Sequence, residues 1–374
     1  MIIFVDKIYH TNFLNNSLIM DVRTCGINLN HWYVVAQSRE ITTKPIEVKL
    51  WYRSIVLYRD STGKIHGLDN RCPHRQVKLS EGKVVGNSLE CAYHGWQFNG
   101  QGSCTFIPYL NSNLNGKFSK NQALPRSQIE SYPVQEDDGF VWIFLGEKHL
   151  LESKQVQPMS IPEWQHLNYI GTVSVIDCQA HFSFLIENLM DMYHGHLHDD
   201  YQAWTDAKLK ELLTTEEGVK GLYEAQSYYK IDKIWSISQL FFPRFRSLHP
   251  EPLMVNYCYP HWQSTLGKDF TIYCLFCPIS LTHTKAYLIH FTSLNAFWRL
   301  HKLPKWFRQF IKDRLYGTAQ TMLDGLVEQD IIMIEQEQQA YDQQLREPTY
   351  EINPTIPAVQ KFIKKQAEKE SIII

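Results

Sequence analysis

The chain has 374 residues, 44% of them hydrophobic and 20% charged, a balance that supports folded domains with real cores and excludes a disordered or fibrous protein. A formal net charge of -2 provides no basic field able to hold a nucleic-acid backbone, so nucleic acid is not an expected partner. No run approaches the roughly 18 apolar residues that a spanning helix needs. The opening MIIFVDKIYHTNFLNNSLIM lacks the charged head, apolar middle and small-residue cleavage site of a secretory leader, so a cytoplasmic location is expected. Eight cysteines at irregular spacing do not make a disulfide scaffold, which turns attention to metal-ligand spacing.

In chain order, His31 to Gly146 reads as short β-branched and aromatic runs, WYVVAQ, VKLWYRSIVLYRD and GFVWIFLG among them, separated by turn clusters such as DSTGK. This predicts a small all-β domain. The segment GEKHLLESKQVQPMSIPEW then loses periodicity and carries two prolines, as a surface connection does. The expected division is an N-terminal extension at 1–27, a β domain at 28–147, a linker at 148–166 and a second domain at 167–374. In the second domain a strand at Tyr169 to Ile176 precedes a helix-like stretch at 182–198. Strands follow in LMVNYCY, FTIYCLFC and TKAYLIHF, then helices from Leu303 to Tyr341 and from Pro357 to Ala367. Successive strands with helices gathered at the end predict an α+β fold, an antiparallel sheet with helices packed over it.

Two places concentrate ligand chemistry. In CPHRQVKLSEGKVVGNSLECAYHGW, Cys72 and His74 form one close pair and Cys91 and His94 another. A [2Fe-2S] centre of the Rieske kind needs two thiolates on one iron and two neutral imidazoles on the other, and two Cys/His pairs supply that set. Pro73 stiffens one loop and Gly95 permits a tight bend in the other. The residue types also admit a Cys2His2 zinc site, although zinc fingers usually group the two cysteines before the two histidines. Cys274 and Cys277 form a CxxC inside an apolar strand with no second pair nearby, and read as buried small hydrophobes.

The second place is ENLMDMYHGHLH. On a helix Glu187, Asp191, His194 and His198 would share one stripe, so His194 and His198 could grip one ion while His196 points elsewhere. A carboxylate completes the facial triad that binds ferrous iron and leaves positions open for dioxygen. Asp330 is the candidate: it falls within the apolar stripe of Leu323, Leu326, Val327, Ile331 and Ile334, with no lysine or arginine within one turn. Burying an unpaired carboxylate is costly, so such a group pairs, neutralises or binds a metal. In LPKWFRQFIKDR one helical face carries Leu303, Trp306, Phe307, Phe310 and Ile311, opposite Lys302, Lys305, Arg308, Lys312 and Arg314. Peripheral membrane contact is one reading, and packing of this helix against its own domain is the preferred one.

Taken together, NHWYVVAQ, IVLYRDSTGKIHGLDNRCPHR, CAYHGWQF, DDGFVWIFLG, ENLMDMYH, EQDIIMIEQEQQAY and NPTIPAVQKFI resemble the catalytic α subunits of Rieske non-haem iron oxygenases. The likeness is to the branch of vanillate and dicamba O-demethylases in particular. The resemblance implies a Rieske domain followed by a helix-grip catalytic domain with a mononuclear Fe(II). It implies electrons drawn ultimately from NAD(P)H through a separate reductase or ferredoxin, and hydroxylation or oxidative demethylation of an apolar or aromatic small molecule with O2. It further implies a ring-shaped homotrimer in which Asp191 bridges His194 and the His94 of the adjacent chain, with Asn188 beside that bridge and Asp330 as third iron ligand. One departure is visible: family members usually place four residues between the iron histidines, whereas three separate His194 from His198 and Asp199 occupies the expected spot. A break after Gly195 would bring in His196 in place of His198. A Rieske electron carrier, or an inactive oxygenase-like binding subunit, is the competing reading.

Overall fold

A computed structural model describes residues 21–108, 128–152, 156–201, 203–230, 247–296, 300–343 and 350–369. Its first half is built from three small antiparallel sheets. The strand β1 (Trp32–Gln37), reading WYVVAQ, is buried at every position. So is β11 (Phe140–Phe144), reading FVWIF, which lies between β1 and β10 (Val134–Asp137). Strands without polar alternation are strands covered on both sides. A second sheet orders β2 (Ile46–Leu50), β3 (Arg53–Arg59), β4 (Ile65–Asp69) and β9 (Ser131–Tyr132). The third, β5 (Lys83–Val85), β6 (Ser88–Glu90), β7 (Gln97–Asn99) and β8 (Cys104–Phe106), is a short meander.

After the short helix α1 (Lys148–Glu152), the second half is one seven-stranded antiparallel sheet. It comprises β12 (Tyr169–Cys178), β13 (Trp204–Thr214), β14 (Gly218–Lys230), β15 (Ser247–Cys258), β16 (His261–Leu266), β17 (Phe270–Ser280) and β18 (His283–Ser293). From β13 to β18 the chain meanders strand by strand, and β12 closes the far edge beside β18. To travel from β12 to β13 it must cross the sheet. It does so through α2 (Phe182–Met190) and a 3₁₀ segment, Met192–Tyr201, and this crossing lays the histidine-rich segment over one sheet face. The helices α3 (Lys305–Asp342) and α4 (Thr355–Glu368) cover that same face. The expected α+β layering is observed.

The opposite face of the large sheet packs on the first half. Within it His261, buried in β16, accepts from the Phe276 amide at Nδ1 (3.2 Å), which leaves Nε2–H to donate to the Trp32 carbonyl (3.1 Å). The Trp51 and Tyr52 amides bond the carbonyls of Pro278 and Ile279, both at 2.8 Å. Residues 21–29 form a strap over the helices: Val22, Cys25, Ile27 and Leu29 are buried, Arg23 forks onto Glu187, and the Asn28 side-chain amide donates to Gln366 Oε1 at 3.2 Å.

Two local expectations change. The stretch at 182–198 is not one helix, because α2 ends where Asp191 leaves helical backbone geometry (φ -92°, ψ 104°). At the start of α3, Leu303, Phe307 and Ile311 turn toward the protein, but Trp306 is 72% and Phe310 50% exposed. The inward stripe therefore runs one position off the expected one. Among the described residues no helix is long and apolar enough to cross a membrane.

Candidate metal centres and their cavity

The two loops that carry Cys72, His74, Cys91 and His94 fold alike. In each, the cysteine amide donates to the carbonyl five residues on, Cys72 to Val77 at 2.9 Å and Cys91 to Trp96 at 2.8 Å. The amide four residues on donates back to the cysteine carbonyl, Gln76 at 2.8 Å and Gly95 at 3.1 Å. Closing so tight a loop takes the chain into left-handed backbone space at that fourth position, where φ is 63° at Gln76 and 69° at Gly95. Glycine adopts this without cost, and Gln76 does so under strain. Gly95 was legible as a bend; Gln76 was not, because nothing in its side chain announces positive φ.

Both cysteines are buried in a small core with Val56, Tyr58, Leu68, Leu79, Leu89, Phe98 and Ile129. Cys72 and Cys91 are coupled neighbours, and amides two and three residues on face each sulfur: His74 and Arg75 toward Cys72, Tyr93 and His94 toward Cys91. Their mutual contact lets one of the two thiols ionise more readily and holds the proton on the other, lowering Cys91 and raising Cys72. Two sulfurs within hydrogen-bond reach, each cradled by amides, are built for a cationic centre that lets both ionise. The imidazoles sit at the outer rim, His74 and His94 with ring centroids 4.5 Å apart and His74 stacked on Trp96 at 4.9 Å. Sulfurs inside and imidazoles outside fit an asymmetric two-iron cluster.

The second set assembles around the break in the histidine segment. The Asp191 carboxylate accepts the Tyr193 amide (2.9 Å), a local turn that competes with helix continuation and starts the 3₁₀ segment. Four residues span more than a 3₁₀ turn, so His194 and His198 would point about 120° apart on an ideal one. The backbone kinks at His198 (φ -104°, ψ 20°), and the two rings stand 5.3 Å apart. Gly195 lies between them against β13: a Cβ there would meet the Trp204 carbonyl at 2.6 Å. The Trp204 indole donates to the Met192 carbonyl at 2.9 Å. His196 is exposed.

From α3, Asp330 meets this segment. Its Oδ1 lies 3.3 Å from His198 Nε2 and 3.7 Å from His194 Nε2, and the potential ligand atoms of the three residues all lie within 4.8 Å of one another. His198, 1% exposed, donates from Nδ1 to Gln329 Oε1 at 3.0 Å, which leaves Nε2 free for a metal. Burial lowers the His194 pKa. At His198 burial acts the same way, but Asp330 and Gln329 outweigh it and raise the value. Asn188 donates to Asp330 Oδ1 at 3.2 Å. Two neutral nitrogens and one carboxylate on a shared point fit a facial triad. Glu187 is turned away onto Arg23, so the expected four-residue stripe contributes two of its members.

Asp191 stands just outside the triad, where Asn353 donates to it at 2.7 Å. Wholly buried, Asn353 also bonds the Tyr223 hydroxyl (3.0 Å) and Thr355 (2.8 Å). It went unassigned in the sequence, where only its place in NPTIPAVQKFI stood out. Cys274 and Cys277 are buried on opposite faces of β17, an arrangement that suits packing.

The triad lines one wall of a cavity between sheet and helices. Its sheet side is formed by Leu253, Trp262, Ser264, Ile272, Leu288 and His290, its helix side by Leu189, Leu323 and Leu326. A carboxylate and two imidazoles at the edge of apolar walls can hold a metal beside an organic substrate and keep bulk water away.

Comparison with known proteins agrees with this construction. The model of the Rieske [2Fe-2S] domain matches residues 31–133. Across 91% of this chain and 89% of the relative, the protein is 29% identical to 4beta-methylsterol monooxygenase of Methylococcus capsulatus. It is 32% identical to the oxygenase component of dicamba O-demethylase of Stenotrophomonas maltophilia, over 48% of this chain and 49% of that one. A crystal structure of dicamba monooxygenase bound to 3,6 dichlorosalicylic acid superposes with a TM-score of 0.74 over 93% of this chain and all of the other, at 18% identity, which speaks for the fold. The Rieske domain and these relatives point to a Rieske-type oxygenase, an oxidoreductase that incorporates oxygen from O2. Along its length the chain is similar to the oxygenase components of Rieske non-haem iron systems, and a Rieske [2Fe-2S] cluster with a mononuclear iron is the cofactor set that this similarity supports.

Proposed function

We propose that this chain is the terminal oxygenase of a multicomponent system that hydroxylates or oxidatively demethylates a largely apolar small molecule. The single observation that carries the proposal is the meeting of His194, His198 and Asp330 on the wall of an apolar cavity. When bound, the [2Fe-2S] cluster supplies one-electron storage and the mononuclear iron supplies dioxygen activation for C–H oxidation. Cys72, His74, Cys91 and His94 hold the first group, and His194, His198 and Asp330 the second.

The remaining work belongs to the protein. Gln329 fixes the His198 tautomer, and Asn188 holds one Asp330 oxygen, so each presents a defined lone pair. Asp191, anchored by Asn353 and the Tyr193 amide, orients the histidine segment and offers a hydrogen-bonded route to a neighbouring His94. The exposed His74 and the half-buried His94 suit such a contact, and a homotrimer with this geometry is part of the proposal. So are the division of the chain at 148–166, a cytoplasmic location and supply by a reductase or ferredoxin; relatives are named as components of such systems. Reductant-dependent oxygen uptake with a cognate substrate tests the reading: uptake lost in Asp330→Ala with the cluster spectrum intact is expected, and uptake unaffected by that change would defeat it.

A further inference from the structure

Apart from the triad and Asn188, the described lining of the cavity is apolar except in one strip. Across the sheet, register places Ser264 opposite Ile272 and Ile272 opposite His290, while Trp262 lies two residues from Ser264 on the same face. Trp262, Ser264 and His290 all line the cavity. The Trp262 indole nitrogen is buried and, among the described residues, has no hydrogen-bond partner. An indole N–H enclosed without an acceptor is costly, and Trp is normally placed where that group is satisfied.

Among the described residues the same lining contains no lysine or arginine, and its one carboxylate is Asp330. Burial lowers the pKa of His290 to about 4, so this imidazole brings no positive charge at neutral pH. An anionic substrate group entering the strip would lose its hydration and find no cation among the described lining residues to replace it. A neutral oxygen brought beside the indole would supply the acceptor that Trp262 lacks.

Resting on the reading of this cavity as the substrate pocket, we propose that Trp262, with Ser264 and His290 beside it, is the polar anchor of the site. It selects a neutral, otherwise apolar substrate bearing one hydrogen-bond-accepting oxygen, a carbonyl, ether or alcohol, and discriminates against carboxylates and sulfonates.

Three probes of one skeleton test this by equilibrium dialysis against the metal-loaded, unreduced protein: para-methylacetophenone, the near-isosteric hydrocarbon para-cymene, and the anion para-toluate. The ketone is expected to bind about tenfold more tightly than the hydrocarbon, as one hydrogen bond to an otherwise unpaired buried donor implies, and para-toluate the most weakly. Trp262→Phe, which keeps a ring and removes the N–H, should bring the ketone down to the hydrocarbon and leave para-cymene within about twofold of its original affinity. A ketone preference that survives Trp262→Phe, para-toluate binding as tightly as the ketone, or no saturable binding of any probe overturns the anchor. Oxygen uptake on the same preparation separates the two readings. Absent uptake with the ranking intact overturns the oxygenase reading alone, and normal uptake with the ranking absent overturns the anchor alone.

Discussion

Replacing Asn353 with alanine should loosen Asp191 without touching a metal ligand. The amide is wholly enclosed and donates to Asp191 Oδ1 at 2.7 Å, a charge-assisted bond of about 1.5–3 kcal/mol. Its carbonyl accepts the Thr355 hydroxyl at 2.8 Å and the Thr355 amide at 3.2 Å. Tyr223 keeps an acceptor after the change, because its hydroxyl also reaches the Met190 carbonyl at 3.1 Å. The cost is therefore one charged bond and one buried neutral one, about 3 kcal/mol in all, or a factor of roughly 150 in the folding equilibrium. Urea unfolding followed by tryptophan fluorescence, on wild type and variant loaded with the same metals, reads this cost. Single-turnover electron transfer from the reduced cluster reads the consequence and should slow at least about tenfold with both iron centres retained. A stability within about 0.5 kcal/mol of wild type together with unchanged transfer would refute the reasoning.

Other outcomes follow from the same geometry. Gly195→Ala should expel the mononuclear iron while the cluster spectrum stays intact, since a Cβ 2.6 Å from the Trp204 carbonyl forces the histidine segment off β13 at about 1–3 kcal/mol; iron analysis per chain checks it. Gln329→Leu removes the acceptor that fixes His198 Nδ1 at 3.0 Å and should weaken iron affinity by about 10–100-fold, read by competition with a chelator. His261, buried between the two halves, has its pKa lowered to about 3 by burial. The unfolded chain then binds the extra proton first as pH falls, so the stabilising effect of the neutral ring is complete above about pH 6.5 and declines below it, by about 1.4 kcal/mol per unit, until the folded value is reached. His261→Phe should remove that share of the acid sensitivity, and a denaturation series between pH 7 and pH 4.5 that shows the same slope for both proteins would contradict it.

What could be read in the sequence was what is local. Cys72, His74, Cys91 and His94 stand out as two loops with ligand types a few residues apart, and Asp330 as a carboxylate in an apolar helical stripe, which the structure brings beside His194 and His198. The register of α3 around Asp330 was legible for the same reason, with Leu323, Val327 and Ile334 buried, whereas at its start the inward stripe runs one position off. Four features were not. The strand β13, WTDAKLKELLT, is an edge strand with solvent on much of one face, and its apolar residues repeat as those of a helix would. The expected helix across 182–198 fails because the Asp191 side chain captures the next amide but one, a choice that composition does not reveal. Asn353 meets Asp191 across 162 positions, and the Trp262 indole gains meaning only once sheet register and helix packing enclose it. Contacts of that span are set by the completed fold.

Two distinct iron centres in one polypeptide are the core of this account, and metal and acid-labile sulfide analysis of anaerobically reconstituted protein tests it most directly. About three irons and two sulfides per chain are predicted, falling to about two irons with sulfide unchanged in Asp330→Ala. Two irons in both proteins would contradict it and leave a Rieske electron carrier in its place.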